Sequence, residues 1–122
     1  MKVNGKEVKW EDCSKDDCFL TDVKVHVLWR DEKTGASMRL LKVPVGDAWE
    51  LPHQHPGANQ WAIILSGLVD MTGGAQMAAS GDDIFFGYGP KGETHGPPRG
   101  SKVIKEMIGI QYLDGPGAKV IK

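Results

Sequence analysis

Three of the four histidines in the chain, His53, His55 and His95, have a spacing that suits a single metal site. Side chains two residues apart on a β-strand point to the same side, so His53 and His55 can direct their imidazoles at one point. His95 follows far enough along the chain to return on another strand, and Gln60 can bring an amide oxygen to the same point. Imidazole suits zinc, copper, iron and nickel, and three protein ligands with an open position are typical of a reactive metal.

The bulk composition is that of one small domain without a nucleic-acid or membrane partner. The chain has 122 residues, and its 15 basic and 16 acidic residues give a net charge of −1 without a basic stripe. No apolar run approaches the roughly 20 residues that a membrane span needs. The first residues lack the apolar segment of a signal peptide, so we expect a cytoplasmic protein.

Short strand-like runs, separated by turns that contain glycine or proline, predict an all-β sandwich or barrel. The runs cover residues 23–28, 36–45, 60–65, 68–72, 83–86 and 102–113. We expect a single domain over residues 1–122, with a charged N-terminal arm at about 1–20 and a barrel core at about 23–113.

Two features outside the histidine motif have simpler interpretations. His26 shares a strand face with Lys24, which indicates a solvent-facing histidine. Cys13 and Cys18 lie among acidic residues, which disfavour a reactive thiolate. We interpret them as structural or surface thiols, with a local disulfide or a second metal site as the alternatives.

The two histidine motifs resemble those of the cupin superfamily. The first cupin motif runs glycine, five residues, His-x-His, three or four residues, glutamate, six residues, glycine. Here residues 46–67 read GDAWELPHQHPGANQWAIILSG, with six residues before His53 and with Gln60 at the glutamate position. The second motif keeps Pro90-x-Gly92-x-x-His95, although the gap that precedes it is longer and the final asparagine is absent.

This resemblance implies a cupin barrel, a jelly-roll or double-stranded β-helix with a metal inside. Three stretches, at residues 31–38, 51–57 and 112–117, are similar to a small single-domain group. That group includes acetylacetone-cleaving dioxygenases and the cupin domains of zinc-binding anti-sigma factors. The dioxygenases bind Fe(II) through three histidines without a carboxylate, which agrees with Gln60. The resemblance therefore implies a divalent metal and favours Fe(II), with zinc, manganese and nickel as alternatives.

A charge argument supports the same chemistry. Three neutral imidazoles leave a divalent metal with its full charge, which favours an anionic ligand such as an enolate, a carboxylate or hydroxide. A β-diketone bound as its enolate suits such a site, and so does a water activated by a Lewis acid. Three roles are open for Gln60. It is a loosely held fourth ligand, or it hydrogen-bonds to a bound substrate or water, or it only lines the barrel.

Alternation along the strands predicts the wall of a substrate pocket. If Gln60 points inward, Ala62 and Ile64 do so too. The other candidates for an apolar wall are Met38, Leu40, Trp49, Phe85, Tyr88 and Met107, although Met and aromatic residues at such positions more often belong to the plain core. Glu93, two residues before His95, can orient that histidine as an outer partner of the metal site.

The same alternation turns Trp61, Ile63 and Leu65 outward, and an apolar outer face of this kind predicts a homodimer. The leading functional hypothesis is a three-histidine non-haem iron oxygenase that acts on a small dicarbonyl-like substrate. The alternatives are a ligand-binding or sensing module with zinc or another structural metal, and a non-oxidative metal-dependent lyase or isomerase. No catalytic acid, base or nucleophile is identified from the sequence.

Overall fold

The computed structural model describes residues 7–13, 19–72, 76–79, 85–117 and 119–120, and all regular elements within these ranges are β-strands. The all-β prediction is therefore confirmed. The strands are β1 Glu11–Asp12, β2 Lys24–Arg30, β3 Ser37–Val43, β4 Gly46–Asp47, β5 His53–Gln54, β6 Gln60–Asp70, β7 Gln76–Ala79, β8 Phe85–Gly89, β9 Lys102–Leu113 and β10 Lys119–Val120.

The central element of the main antiparallel sheet is β9, whose bounds agree with the predicted run at residues 102–113. The sheet has the order β1-β2-β3-β9-β6-β7, with β4 paired to β9 and β8 paired to β6. A second, two-stranded sheet joins β10 to β5. Because β9 pairs with β3 along one edge and with β6 along the other, it fixes the mutual register of the three strands that surround the site.

The predicted break between residues 60–65 and 68–72 is wrong, since β6 runs through it as one strand. The pairing of β6 with β9 shifts register around Ser66 and Leu68, and Gly67 between them has a φ of 119°. A Cβ atom at Gly67 would lie 2.6 Å from the Cα atom of Met107. The glycine therefore marks a bulge where two backbones approach closely, rather than the end of a strand.

The hydrophobic core consists of Val23, Val43, Trp49, Ile64, Val69, Val103 and Met107. Val43 and Met107 are directly paired across β3 and β9, and Ile64 lies on the neighbouring β6. These side chains point to one face of the sheet, the inner face. The core therefore packs against the same surface that carries the candidate site.

Part of the predicted N-terminal arm joins the sheet, because Glu11 and Asp12 pair with Val25 and Lys24. The Sγ atom of Cys13 donates a hydrogen bond to the carbonyl of Val23 at 3.0 Å. Cys18 lies outside the described residues.

His26 pairs with Leu40 across β2 and β3, and a ring nitrogen of His26 lies 3.1 Å from the Lys9 carbonyl. Within the part of the chain that is described, no helix has the length and apolar character to cross a membrane. The single domain, its bounds and the cytoplasmic location stay predictions.

Candidate metal centre

Backbone pairing brings His53, His55 and His95 together. His53 and His95 form an isolated antiparallel bridge, in which each backbone amide donates to the other residue's carbonyl at 2.9 Å. His55 follows β5 directly, so it lies on the same side of the chain as His53. His53 and His55 are each 2% exposed, and one ring nitrogen from each of the three residues lies within 4.8 Å of the others.

Backbone carbonyls set the tautomers of two of the three rings. Nδ1 of His53 lies 2.8 Å from the carbonyl of Leu51, and Nδ1 of His95 lies 3.3 Å from the carbonyl of Glu93. A carbonyl oxygen only accepts, so both Nδ1 atoms carry the proton and both Nε2 atoms keep a free lone pair. Glu93 thus orients His95 through its backbone, not through the carboxylate that the sequence suggested.

His55 provides the test of whether a metal fits this site. Both of its ring nitrogens are buried, and neither has a hydrogen bond of good geometry. Buried polar atoms of this kind are rare because they lose their water without a replacement. A divalent metal would supply the missing partner for one of these nitrogens, which is the arrangement that a three-histidine site requires.

The surroundings keep the three imidazoles neutral. Burial and, to a smaller extent, the adjacent His53 and His95 rings lower the pKa of His55 to about 4, although the nearby Gln60 side chain and Gly117 backbone partly oppose this shift. Burial also lowers the pKa of His53 and of His95, with a smaller contribution from the neighbouring His53 ring in the case of His95. Because metal ligation requires neutral imidazole, the site is ready for a divalent cation at neutral pH.

A cavity of about 250 Å³ opens beside the cluster, with His95 in its wall. Most of the wall is apolar. Four residues expected from the sequence are among those that line it, namely Trp49, Phe85, Tyr88 and Met107. The Tyr88 side chain is nevertheless 53% exposed, and its ring packs 5.3 Å from that of Trp61 on the opposite, outer face of the sheet.

Met38 and Leu40 do not line the cavity, which corrects the sequence interpretation. Leu41 and Val43 line it instead, since the register of β3 pairs them with Gly109 and Met107 on the inner face. The segment SMRLLKV has apolar residues at both odd and even positions, so its alternation does not select a face.

No protein-family model and no curated protein matches the chain. Solved structures do resemble it. An acetylacetone dioxygenase from Acinetobacter johnsonii is 15% identical, with a TM-score of 0.59 over 93% of this chain and 72% of that one. An RmlC-like cupin from Shewanella frigidimarina NCIMB 400 is 17% identical, with a TM-score of 0.58 over 94% of this chain and 89% of that one. The chain has the cupin fold.

A further cupin neighbour, a predicted oxalate decarboxylase from Thermotoga maritima, is 20% identical, with a TM-score of 0.61 over 94% of this chain and 99% of that one. Identities this low relate the folds and not the activities. The cupin fold and the three-histidine cluster together indicate a divalent metal.

Within this fold, Gln60 lies beside the histidine cluster. It is the first residue of β6 and shares the inner face with Ala62 and Ile64, as the alternation predicted. Its Oε1 atom lies 3.3 Å from Nε2 of His95 and accepts a hydrogen bond from Nε2 of Gln111 at 3.0 Å.

Sequence reasoning missed Gln111 and its partner Arg39. Gln111 is only 6% exposed and lines the cavity, and its Oε1 atom accepts a hydrogen bond from Nε of Arg39 at 2.7 Å. The signal was present in the alternation of β9, where Met107, Gly109 and Gln111 share a face. A glutamine on the buried face of a strand requires hydrogen-bonding partners.

Glu50 is the other missed residue. Glu50 lines the cavity, and its carboxyl group lies 3.9 Å from Nδ1 of His53, which is itself hydrogen-bonded to the carbonyl of Leu51. Burial raises the pKa of Glu50 to about 8, and the nearby Arg39 charge only partly opposes that rise. The residue lies within the first histidine motif, three positions before His53, yet the spacing alone gave no reason to turn it inward.

Proposed function

We propose that this cupin is a metal-dependent oxygenase in which His53, His55 and His95 hold Fe(II) and the adjacent cavity binds a small dicarbonyl compound. One observation carries the proposal: three neutral imidazoles, two of them buried and that of His95 partly buried, converge beside an apolar cavity that His95 lines. Neutral donors leave the charge of the cation undiminished, which favours an anionic oxygen ligand such as an enolate. When bound, Fe(II) supplies the redox chemistry that dioxygen requires.

The dimensions of the cavity support a small substrate. Its volume of about 250 Å³ falls below the roughly 300–1,000 Å³ of pockets that bind drug-sized ligands. Leu41, Val43 and Phe85 provide contacts for methyl groups, while the polar residues Glu50, Gln60 and His95 line the same cavity. A molecule with two oxygens at one side and short alkyl groups at the other matches this division.

The similarity to the Acinetobacter johnsonii acetylacetone dioxygenase supports the choice of oxygen chemistry and of a β-diketone as the first substrate to test. The experiment is oxygen uptake by the Fe(II)-loaded protein with a panel of β-diketones, with the Zn(II)-loaded protein as the redox-inert control. We expect uptake only when both iron and a diketone are present. Uptake with none of the diketones would overturn the oxygenase proposal.

A non-oxidative lyase or isomerase is the second candidate, favoured by the presence of an acidic residue, Glu50, among those that line the cavity. Such an enzyme uses its metal as a Lewis acid and uses nearby side chains to hydrogen-bond its substrate. Equal turnover by the Zn(II) and Fe(II) forms would favour this candidate. Diketone binding without turnover in either form would favour a sensing module.

We also propose that two copies of the chain pair through the outer face of the sheet. Register places Trp29, Met38, Tyr112, Trp61 and Tyr88 in one row across five strands. Ile63 and Phe86 pair with each other in the next row, and both are exposed. The row contains no charged residue, so the same apolar row of a second copy is its natural partner.

Light scattering tests this pairing. We expect the mass of a dimer for the wild-type protein and for Val45→Lys, which changes an exposed apolar residue outside the strands. Phe86→Lys inserts a charge into the outer face and should give a monomer. A monomeric wild-type protein over a wide concentration range would remove the proposal.

A further inference from the structure

Three side chains on neighbouring strands, Arg39, Gln111 and Gln60, are joined by two consecutive hydrogen bonds, and the last of the three lies beside the metal histidines. Nε of Arg39 on β3 donates to Oε1 of Gln111 on β9 at 2.7 Å, and Nε2 of Gln111 donates to Oε1 of Gln60 on β6 at 3.0 Å. That same Oε1 atom of Gln60 lies 3.3 Å from Nε2 of His95. Strand register sets the geometry, because Gln111 pairs with Arg39 on one side and with Ala62 on the other.

The direction of this chain is fixed by chemistry. An amide side chain can present either its oxygen or its nitrogen, and the choice must follow from its partners. The guanidinium of Arg39 has donors and no acceptor, so Gln111 must turn its oxygen toward Arg39. The NH₂ group of Gln111 then faces Gln60, which must accept this hydrogen bond with its own side-chain oxygen.

The oxygen of Gln60 therefore meets a nitrogen that also lacks a proton. The Nδ1 proton of His95 is donated to the carbonyl of Glu93, so its Nε2 atom carries a lone pair. Two acceptors at 3.3 Å do not hydrogen-bond to each other. Two ligands at right angles on one metal, with bonds of about 2.1 Å, lie about 3 Å apart. The observed separation is thus close to what a shared cation would require.

We propose that Gln111 and Arg39 are positioning residues that hold Oε1 of Gln60 toward the metal and so make Gln60 a neutral fourth ligand. The inference rests on the metal site of the proposed function. An amide without this support could rotate and present its NH₂ group to the cation. The opposite rotation is disfavoured here, because it would bring the NH₂ groups of Gln60 and Gln111 against each other.

Arg39 also packs against an aromatic ring, which makes it a suitable start for this series of hydrogen bonds. Its guanidinium carbon lies 5.8 Å from the centre of the Phe19 ring, and its charge partly opposes the rise that burial causes in the pKa of the nearby Glu50. The consequence for the metal is one of charge. A glutamate at this position would neutralise part of the cation, whereas a directed amide adds an oxygen ligand and keeps the full charge available for an anionic substrate.

The test reverses the direction of the hydrogen bond between Gln111 and Gln60 without changing the shape of either side chain. In Gln111→Glu the side chain still accepts from Arg39 but has no proton for Gln60. The Gln60 amide should then turn its NH₂ group toward the new carboxylate and withdraw its oxygen. We expect Co(II) affinity to fall about 10–100-fold, the range for outer partners of metal ligands. The visible spectrum of bound Co(II), which reports the ligand set, should change with it.

Gln54→Glu is the matched control. It makes the same substitution between two metal-binding histidines, on a side chain that donates instead to Oγ1 of Thr94 at 3.4 Å. A negative charge near the cation should by itself preserve or raise Co(II) affinity. A fall in Gln111→Glu without a fall in Gln54→Glu therefore reports the lost orientation and not the added charge.

Rescue separates positioning from a merely structural role. A carboxylate at position 60 presents oxygen in either rotation, so Gln111→Met should affect Co(II) affinity and spectrum less in a Gln60→Glu background than in the wild-type background. Unchanged affinity and spectrum in Gln111→Glu and Gln111→Met, together with loss of Co(II) in His55→Ala, would overturn the inference and leave the metal site standing. Failure of the wild-type protein to bind Co(II) would overturn both.

Discussion

The two faces of β6 and its neighbours differ in chemistry, although their residues alternate one by one along the same strands. On the inner face, Gln60 and Gln111 form a polar chain within an otherwise apolar wall. On the outer face, Trp61 lies between Tyr88 and Tyr112, with ring centres 5.3 and 5.5 Å away. A period of two residues is therefore sufficient to separate the surface that carries the candidate metal site from an apolar one.

Burial explains why the inner face is the specific one. A polar atom that loses water there costs free energy unless it is paired, so each hydrogen-bonding group must find a particular partner. Arg39, Gln111, Gln60 and the two Nδ1 protons of His53 and His95 satisfy this requirement. The nitrogens of His55 do not, and they indicate where a metal belongs. Apolar rings on the outer face carry no such requirement and can be exchanged more freely.

The largest expected difference between the faces concerns metal binding. His55→Ala removes a buried ligand, and metal affinity should fall by more than the roughly 10–100-fold typical of outer partners. His26→Ala, on the face that carries Leu40, should retain the metal. Metal content after dialysis measures both. Full stoichiometry in each of the single alanine variants of His53, His55 and His95 would contradict the site.

The sequence predicts the ligands and the central strand well, and the physical reason is locality. The histidine pair and the alternation of β9 depend on neighbours within a few residues. The contact of Arg39 with Gln111 joins positions 72 residues apart, and that of Gln111 with Gln60 joins positions 51 apart. Both depend on the relative register of three strands, which no local pattern encodes. The inward turn of Glu50 likewise depends on tertiary packing.

The two faces of β6 also differ in their expected contribution to stability. The adjacent residues Ile63 and Ile64 allow this difference to be measured. Ile64 is 8% exposed and belongs to the core, whereas Ile63 is 38% exposed on the outer face. Ile64→Ala should lower the free energy of unfolding by about 2–4 kcal/mol, and Ile63→Ala by less than about 1 kcal/mol in the monomer. Denaturant unfolding at low protein concentration checks this, and equal losses would break the distinction between the faces.

The smallest expected effect is the pH dependence of the stability of the metal-free protein. On the inner face, the three histidines and Glu50 act on this stability in opposite directions. The folded-state pKa values of His53, His55 and His95 are lowered from 6.5. Below pH 6.5 the histidines bind protons in the unfolded chain but not in the folded protein, so the free energy of unfolding falls on acidification. The pKa of Glu50 is raised from 4.5 to about 8, so the unfolded chain loses a proton that the folded protein keeps. Its contribution is therefore lost as the pH rises through this interval.

Above pH 6.5 only the ionisation of Glu50 is expected to change the free energy of unfolding with pH, so its contribution can be measured separately from that of the histidines. One ionising group changes stability by at most about 1.4 kcal/mol per pH unit, so the metal-free protein should lose up to about 2 kcal/mol between pH 6.5 and 8. Glu50→Gln should flatten this interval and keep the acid limb. Glu106→Gln, a change of an exposed carboxyl group, should reproduce the wild-type profile. Denaturant unfolding in the presence of a chelator provides the comparison. A wild-type stability profile that is flat from pH 6.5 to 8 would mean that Glu50 ionises in the folded protein as easily as in water. The inner face would then be more accessible to water than its geometry indicates.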